Sequence, residues 1–153
     1  MREVSGTPDG TGRRFALVAS RFNHVVTDEL VAGAVDALTR HGVASGDIEI
    51  IRVPGAWELP ATCQRVVERG GVDGIVALGC VIRGETPHFE YVAGEASRGL
   101  GAVARSASIP VVFGVLTTET LEQAMTRAGT ERNNKGWEAA LVALEMATLY
   151  REL

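Results

Sequence analysis

From Gly74 to Val81 the chain reads Gly-Ile-Val-Ala-Leu-Gly-Cys-Val, without one polar side chain. A strand with one wet face alternates; a strand that does not alternate is covered on both faces, as in a parallel sheet flanked by helices. The run is far shorter than the ~20 apolar residues a membrane helix needs. Gly74–Val81 is therefore read as a central buried strand. Arg14–Ser20, Ile48–Val53 and Pro110–Leu116 supply three more short apolar runs. The segments between them are helical. Val26, Leu30, Ala34 and Leu38 advance four at a time through His24–Arg40, and His41-Gly42 stops that helix. Pro54-Gly55 turns the chain into a helix from Ala56 to about Arg69. A loop at Arg83–Thr86 precedes an Ala/Gly-rich helix ending near Ala107. A short helix spans Glu119–Ala128, a loop Gly129–Lys135, and a last helix puts Trp137, Leu141, Leu144 and Thr148 on one face.

Strand–helix alternation along the whole chain predicts an α/β fold, a three-layer α/β/α sandwich around a parallel four-stranded sheet. Residues 13–153 are read as one domain and residues 1–12 as a mobile arm, ordered by a neighbouring subunit. Ligands of such sheets bind beyond the carboxyl ends of the strands. The places to look are thus Ser20–Asn23, Pro54–Glu58, Val81–His88 and Phe113–Thr117.

Charge and cysteine content narrow the function. A net charge of -4 over 153 residues, with no basic stripe, argues against a nucleic-acid partner. Cys63 and Cys80 lie far apart with no C-x-x-C, so neither a disulfide framework nor a cysteine zinc site is expected, and Cys80 is read as a core filler. With no signal-like N-terminus, the expected compartment is the cytoplasm and no membrane partner is expected. Of 15 cations only Lys135 is a lysine.

Most sequence motifs fail on context. Gly99-Leu100-Gly101-Ala102-Val103-Ala104 matches a dinucleotide string, but inside a helix, where small residues serve close helix packing. His88-Phe89-Glu90 lacks the cysteine partner of a zinc deaminase. There is no nucleophile elbow around Ser97 and no P-loop. Arg83-Gly84-Glu85-Thr86-Pro87-His88 is more informative. Thr86 reads as an N-cap and Pro87 as the first helical residue, placing free amides at a strand end, a suitable anion site. His88 in that first turn faces the positive end of the helix dipole, which disfavours imidazolium and suits proton transfer; a plain surface residue is the other reading. Phe22 reads equally as core aromatic or as a stacking surface for a planar ligand. Glu58 reads as a helix-start charge or as an acceptor for polyol hydroxyls. Arg127 and Lys135 flank one short loop.

Several segments together resemble 6,7-dimethyl-8-ribityllumazine synthases. They are Arg21-Phe22-Asn23, Val53-Pro54-Gly55-Ala56-Trp57-Glu58-Leu59-Pro60, Gly79 to Val92, Phe113 to Thr118, Arg127 to Thr130, and Asn134-Lys135-Gly136. The resemblance runs from about Arg14 to Leu149 and implies a flavodoxin-like fold. It implies condensation of 5-amino-6-(D-ribitylamino)uracil with 3,4-dihydroxy-2-butanone 4-phosphate, with no cofactor and no metal. By resemblance, Phe22 stacks on the pyrimidine, Ala56, Trp57 and Glu58 line the ribityl chain, and the backbone of Val81 and Ile82 reads the uracil edge. Glu85-Thr86 amides and Arg127 hold phosphate, and His88 moves protons. Phe113, Arg127 and Lys135 are implied to come from a neighbouring subunit. The resemblance further implies a homopentamer, in some relatives twelve of them in an icosahedral 60-mer shell, the arm adding a strand to a neighbour, and riboflavin synthase as a partner. The short Gly129–Lys135 loop leans toward the shell. Asn133, where shell-forming relatives commonly place Gly, leans against it, and Trp57 is larger than the Phe often found there. A ligand carrier, a Schiff-base aldolase using Lys135 and a container shell each fit part of the pattern.

Overall fold

The computed structural model describes residues 1–130 and 133–153. Four strands form one parallel sheet: β1 (Phe15–Ser20), β2 (Ile48–Val53), β3 (Gly74–Ile82) and β4 (Val111–Thr118), in the order β2-β1-β3-β4. Phe15 stands level with Ile48 on one side and Gly74 on the other, and Ile75 with Val111. The helices are α1 (His24–Arg40), α2 (Leu59–Arg69), α3 (His88–Ser106), α4 (Leu121–Thr126) and α5 (Lys135–Tyr150).

Side chains alternate across a strand, so each inner strand feeds two cores. Phe15, Leu17 and Ala19 of β1, with Val76, Leu78 and Cys80 of β3, pack against α1, α4 and α5. Ala16, Val18, Ile75, Ala77 and Val81 pack against α2 and α3. Both faces are covered, which is why β1 and β3 are apolar without alternation. The three-layer sandwich is as the sequence predicts.

Boundaries differ in places, each for a local reason. β4 runs on to Thr117 and Thr118, which pair with Val81 and Ile82. Ala56–Glu58 is a separate 3-10 turn ahead of α2. α4 is confined to Leu121–Thr126 because the Thr120 hydroxyl accepts from the Gln123 amide (3.1 Å) and caps it there. Thr86 is not the N-cap of α3. Pro87 is, with ψ 3, too open for an α-helical turn, and no side chain caps that helix. On α5 the core face is Gly136, Ala139, Ala140, Ala143, Leu144 and Ala147, while Trp137 and Leu141 flank it half-buried. Small residues face α1 because the two helices approach closely: a Cβ on Gly136 would run into the Leu30 carbonyl. Gly99 does the same for α2 and α3, since its Cβ would lie 2.7 Å from Pro60. Within the failed dinucleotide string Gly99 thus serves helix packing, whereas a Cβ on Gly101 would meet only Arg105 of its own helix.

The arm lies against its own chain. Gly10 donates to the His41 carbonyl (2.8 Å), and Thr7 donates to the Thr148 hydroxyl (2.7 Å), which donates back to the Thr7 carbonyl (2.9 Å).

Candidate active site

The strand order sets where a ligand fits. From β1 the chain moves outward to β2, then crosses back to β3, so connections diverge at the carboxyl ends of β1 and β3 and leave a crevice there. A cavity of about 800 Å³ opens at that point. Phe22 from the β1 end, Ala56, Trp57 and Glu58 from the β2 end, Val81 and Ile82 from the β3 end, and Thr86 and His88 at the α3 start all line it. Phe22 and Trp57 are 71% and 55% exposed, so neither is a core aromatic; both present their rings to the cavity. The core alternative for Phe22 is thereby excluded, and its side chain is open to a ligand.

Backbone geometry holds this wall in place. Asn23 is the one described non-glycine residue with positive φ (61°), a conformation that Asn tolerates better than most residues. Its amide nitrogen donates to the Cys80 carbonyl (2.9 Å), tying the turn after β1 to the end of β3 and so placing Phe22. Glu58 accepts from the Gly55 amide (2.9 Å), which turns the carboxylate back over the β2 end. The amides of Gly84, Glu85 and Thr86 donate to no group among the described residues and remain free for a ligand. Glu85 is exposed and does not line the cavity.

Phe113, Arg127 and Lys135 are elsewhere. They line a second cleft of about 580 Å³ with Thr117, Thr118, Thr126, Asn133 and Glu138, on β4, α4 and the start of α5. Among the described residues none lines both cavities. Within the cleft, Lys135 donates its amide to the Arg127 carbonyl (2.8 Å), which ties the backbones that carry the two cations. The Arg127 guanidinium donates to the Gln123 carbonyl (3.0 Å), and the Lys135 ammonium lies 3.9 Å from Glu138. Glu131 and Arg132, inside the Gly129–Lys135 loop, are outside the described residues.

Asn134 anchors this corner. It is 2% exposed, its amide donates to the Glu29 and Gly129 carbonyls (2.9 Å each), and its oxygen accepts from the Trp137 amide (3.0 Å). It caps α5 and holds the cation loop against α1 at once.

Chemically, the first cavity offers ring surfaces, one carboxylate, one imidazole and free amides; the second offers two cations. Among the described residues no cluster of three His, Cys, Asp or Glu could hold a metal, and no helix is long and apolar enough to cross a membrane. Burial pushes the Cys80 thiol up to about 11 and Cys63 up to about 12, so both are inert core thiols.

Comparison with known proteins decides the family. A profile described as 6,7-dimethyl-8-ribityllumazine synthase matches residues 12–151. A protein named 6,7-dimethyl-8-ribityllumazine synthase from Aquifex aeolicus (strain VF5) is 48% identical over 153 residues, covering 100% of this chain and 99% of that protein. The chain belongs to the 6,7-dimethyl-8-ribityllumazine synthase family. Lumazine synthase membership makes it a transferase of riboflavin biosynthesis.

Three residues of this lumazine synthase family member have roles at the site that the sequence pattern did not assign. Tyr91, three positions after His88 and 69% exposed, lines the first cavity; the helical spacing held that signal. Asn23 and Asn134 act through backbone contacts made far away in sequence, which no local pattern records.

Proposed function

We propose that this chain makes 6,7-dimethyl-8-ribityllumazine from 5-amino-6-(D-ribitylamino)uracil and 3,4-dihydroxy-2-butanone 4-phosphate, in a site completed by a second copy of itself. The observation that carries the proposal is the division of one family's site residues between two cavities with no lining residue in common. One copy's crevice holds the pyrimidine against Phe22, the ribityl chain along Ala56, Trp57 and Glu58, and the uracil edge on the backbone of Val81 and Ile82. A neighbour's Phe113, Arg127 and Lys135 close over it. The phosphate lies between the Glu85-Thr86 amides at the head of α3 and the neighbour's Arg127; backbone amides at a helix start favour such an anion.

The chemistry follows from these positions. The uracil's 5-amino group attacks the butanone carbonyl, water leaves and an imine forms. Phosphate is then eliminated, and the ribitylamino nitrogen closes the ring with loss of a second water. The nucleophile belongs to the substrate, so the protein's tasks are to hold two reactants together and to move protons. Proximity contributes up to ~7–11 kcal/mol to the barrier. His88, over the reacting end of the crevice, transfers the protons. Glu58 accepts ribityl hydroxyls through the carboxylate oxygen that Gly55 leaves free.

The same reading makes the protein a cytoplasmic homopentamer with sites at subunit interfaces, the part of its arm ahead of Thr7 extending a neighbour's sheet and riboflavin synthase consuming its product. The short loop before α5 favours assembly of pentamers into a 60-mer shell. The test is to mix the protein with both substrates and follow lumazine absorbance. A rate above the uncatalysed reaction is expected, and no excess rate refutes the activity. Light scattering that returns a single chain refutes the shared site.

A further inference from the structure

The first cavity's anion-binding corner is built on an exposed loop, and one side chain braces it. Arg83 leaves the end of β3 and donates its amide to the Thr118 carbonyl at the end of β4 (2.8 Å). Its guanidinium reaches Glu119, just past β4, at 2.8 Å, and Glu90, in the first turn of α3, at 3.5 Å. The same guanidinium lies over the Phe89 ring, 4.6 Å from its centroid. Four contacts, two at the end of β4 and the turn after it and two in the first turn of α3, thus converge on the residue directly before Gly84, Glu85 and Thr86. Among the described residues those three have no other backbone tether: their amides are unpaired, and a Cβ at Gly84 would meet nothing within 4 Å.

We propose that Arg83 is a positioning residue for the phosphorylated substrate. The proposal rests on the lumazine-forming reading and assigns a role to a side chain outside the cavity lining. It acts in two ways at once. Holding the first turn of α3 to the end of β4 sets the direction of the free amides and of His88. Binding Glu90 and Glu119 offsets half the negative charge of two carboxylates that would otherwise repel a phosphate approaching the same corner. An isolated exposed ion pair contributes little, but here one planar cation joins two carboxylates and a ring, which a lysine cannot reproduce.

The test compares wild type, Arg83→Gln and Arg83→Lys by steady-state kinetics in each substrate and by calorimetric titration with inorganic phosphate. Arg83→Gln is expected to raise KM for the phosphorylated substrate and Kd for phosphate about tenfold, as loss of a charge-compensating contact does. Its KM for the pyrimidine stays within about twofold, and Arg83→Lys falls between the two proteins. A purely structural role would lower kcat through loss of folded enzyme and leave both KM values in place, and that result overturns the inference. Equal phosphate affinity in wild type and Arg83→Gln overturns it too, as does a wild type that binds no phosphate. The two readings fail separately. Wild type without turnover refutes the lumazine-forming activity, while the phosphate titration still decides on Arg83.

Discussion

The two cavities of this chain are made in different ways. The first sits where strand order forces helices apart, and its shape comes from the backbone: the turn after β1, the 3-10 turn after β2 and the head of α3. The second is an outer face of β4 whose chemistry comes from two cations on a loop held by one buried asparagine. The first has surfaces for a planar, polyhydroxylated ligand and unpaired amides, but no lysine or arginine among its described lining residues. The second has cations but little to stack against beyond Phe113. Each lacks what the other has, which is the physical case for a site built from two copies.

If that contrast is right, damage to the two cavities should separate kinetically. The largest effect belongs to the first: His88→Ala should lower kcat about 10²–10⁴-fold while leaving turnover measurable, because proximity still operates. Unchanged kcat would remove His88 from proton transfer. Arg127→Ala, in the second cavity, should lower kcat/KM for the phosphorylated substrate about 10–10²-fold, the worth of a charged hydrogen bond. Its effect on the pyrimidine KM should be small; equal loss toward both substrates would mean that the cation does not hold phosphate.

Asn134→Ala sharpens the comparison through stability. It strands two carbonyls and uncaps α5, so unfolding free energy should fall by about 2–3 kcal/mol in urea melts. Asn23→Ala loses only one such bond and should cost less, about 1 kcal/mol, while misplacing Phe22. The reverse ranking would show that the second cavity is not held by its asparagine.

The smallest effect is on alkaline stability. Burial raises Cys63 and Cys80 from 9.0 to about 12 and about 11. Above pH 9 the unfolded chain loses these protons while the folded chain keeps them, so stability is full below pH 9 and falls as pH rises toward 12. Cys63→Ala should flatten that decline in urea melts at pH 8 to 10. An unaltered slope would mean that the thiol is not shielded.

The sheet and the first cavity were legible in the sequence because both rest on local patterns. Unbroken apolar runs mark β1 and β3, and turn residues mark strand ends, where Phe22, Glu58 and His88 sit. The start of α3 was missed by one residue because Pro87 takes ψ 3 instead of a helical value, which composition does not reveal. Of the α5 stripe Trp137, Leu141, Leu144 and Thr148, only Leu144 belongs to the buried face, because close approach to α1 selects Gly136 and the alanines. Arg83 and Asn134 stand in segments that the sequence singles out, but their roles were not legible there, for a different reason. Their partners lie on other elements, and such contacts exist only after folding.

The shared site is tested most directly by complementation. One chain carries Phe22→Ala with His88→Ala, the other Arg127→Ala with Lys135→Ala, and each alone should be nearly inactive. Co-assembled at equal amounts, they pair an intact first cavity with an intact second cavity at about one site in four, so about a quarter of wild-type activity should return. Activity no higher than the sum of the two separate variants, in oligomers shown to contain both chains, would contradict the two-copy site.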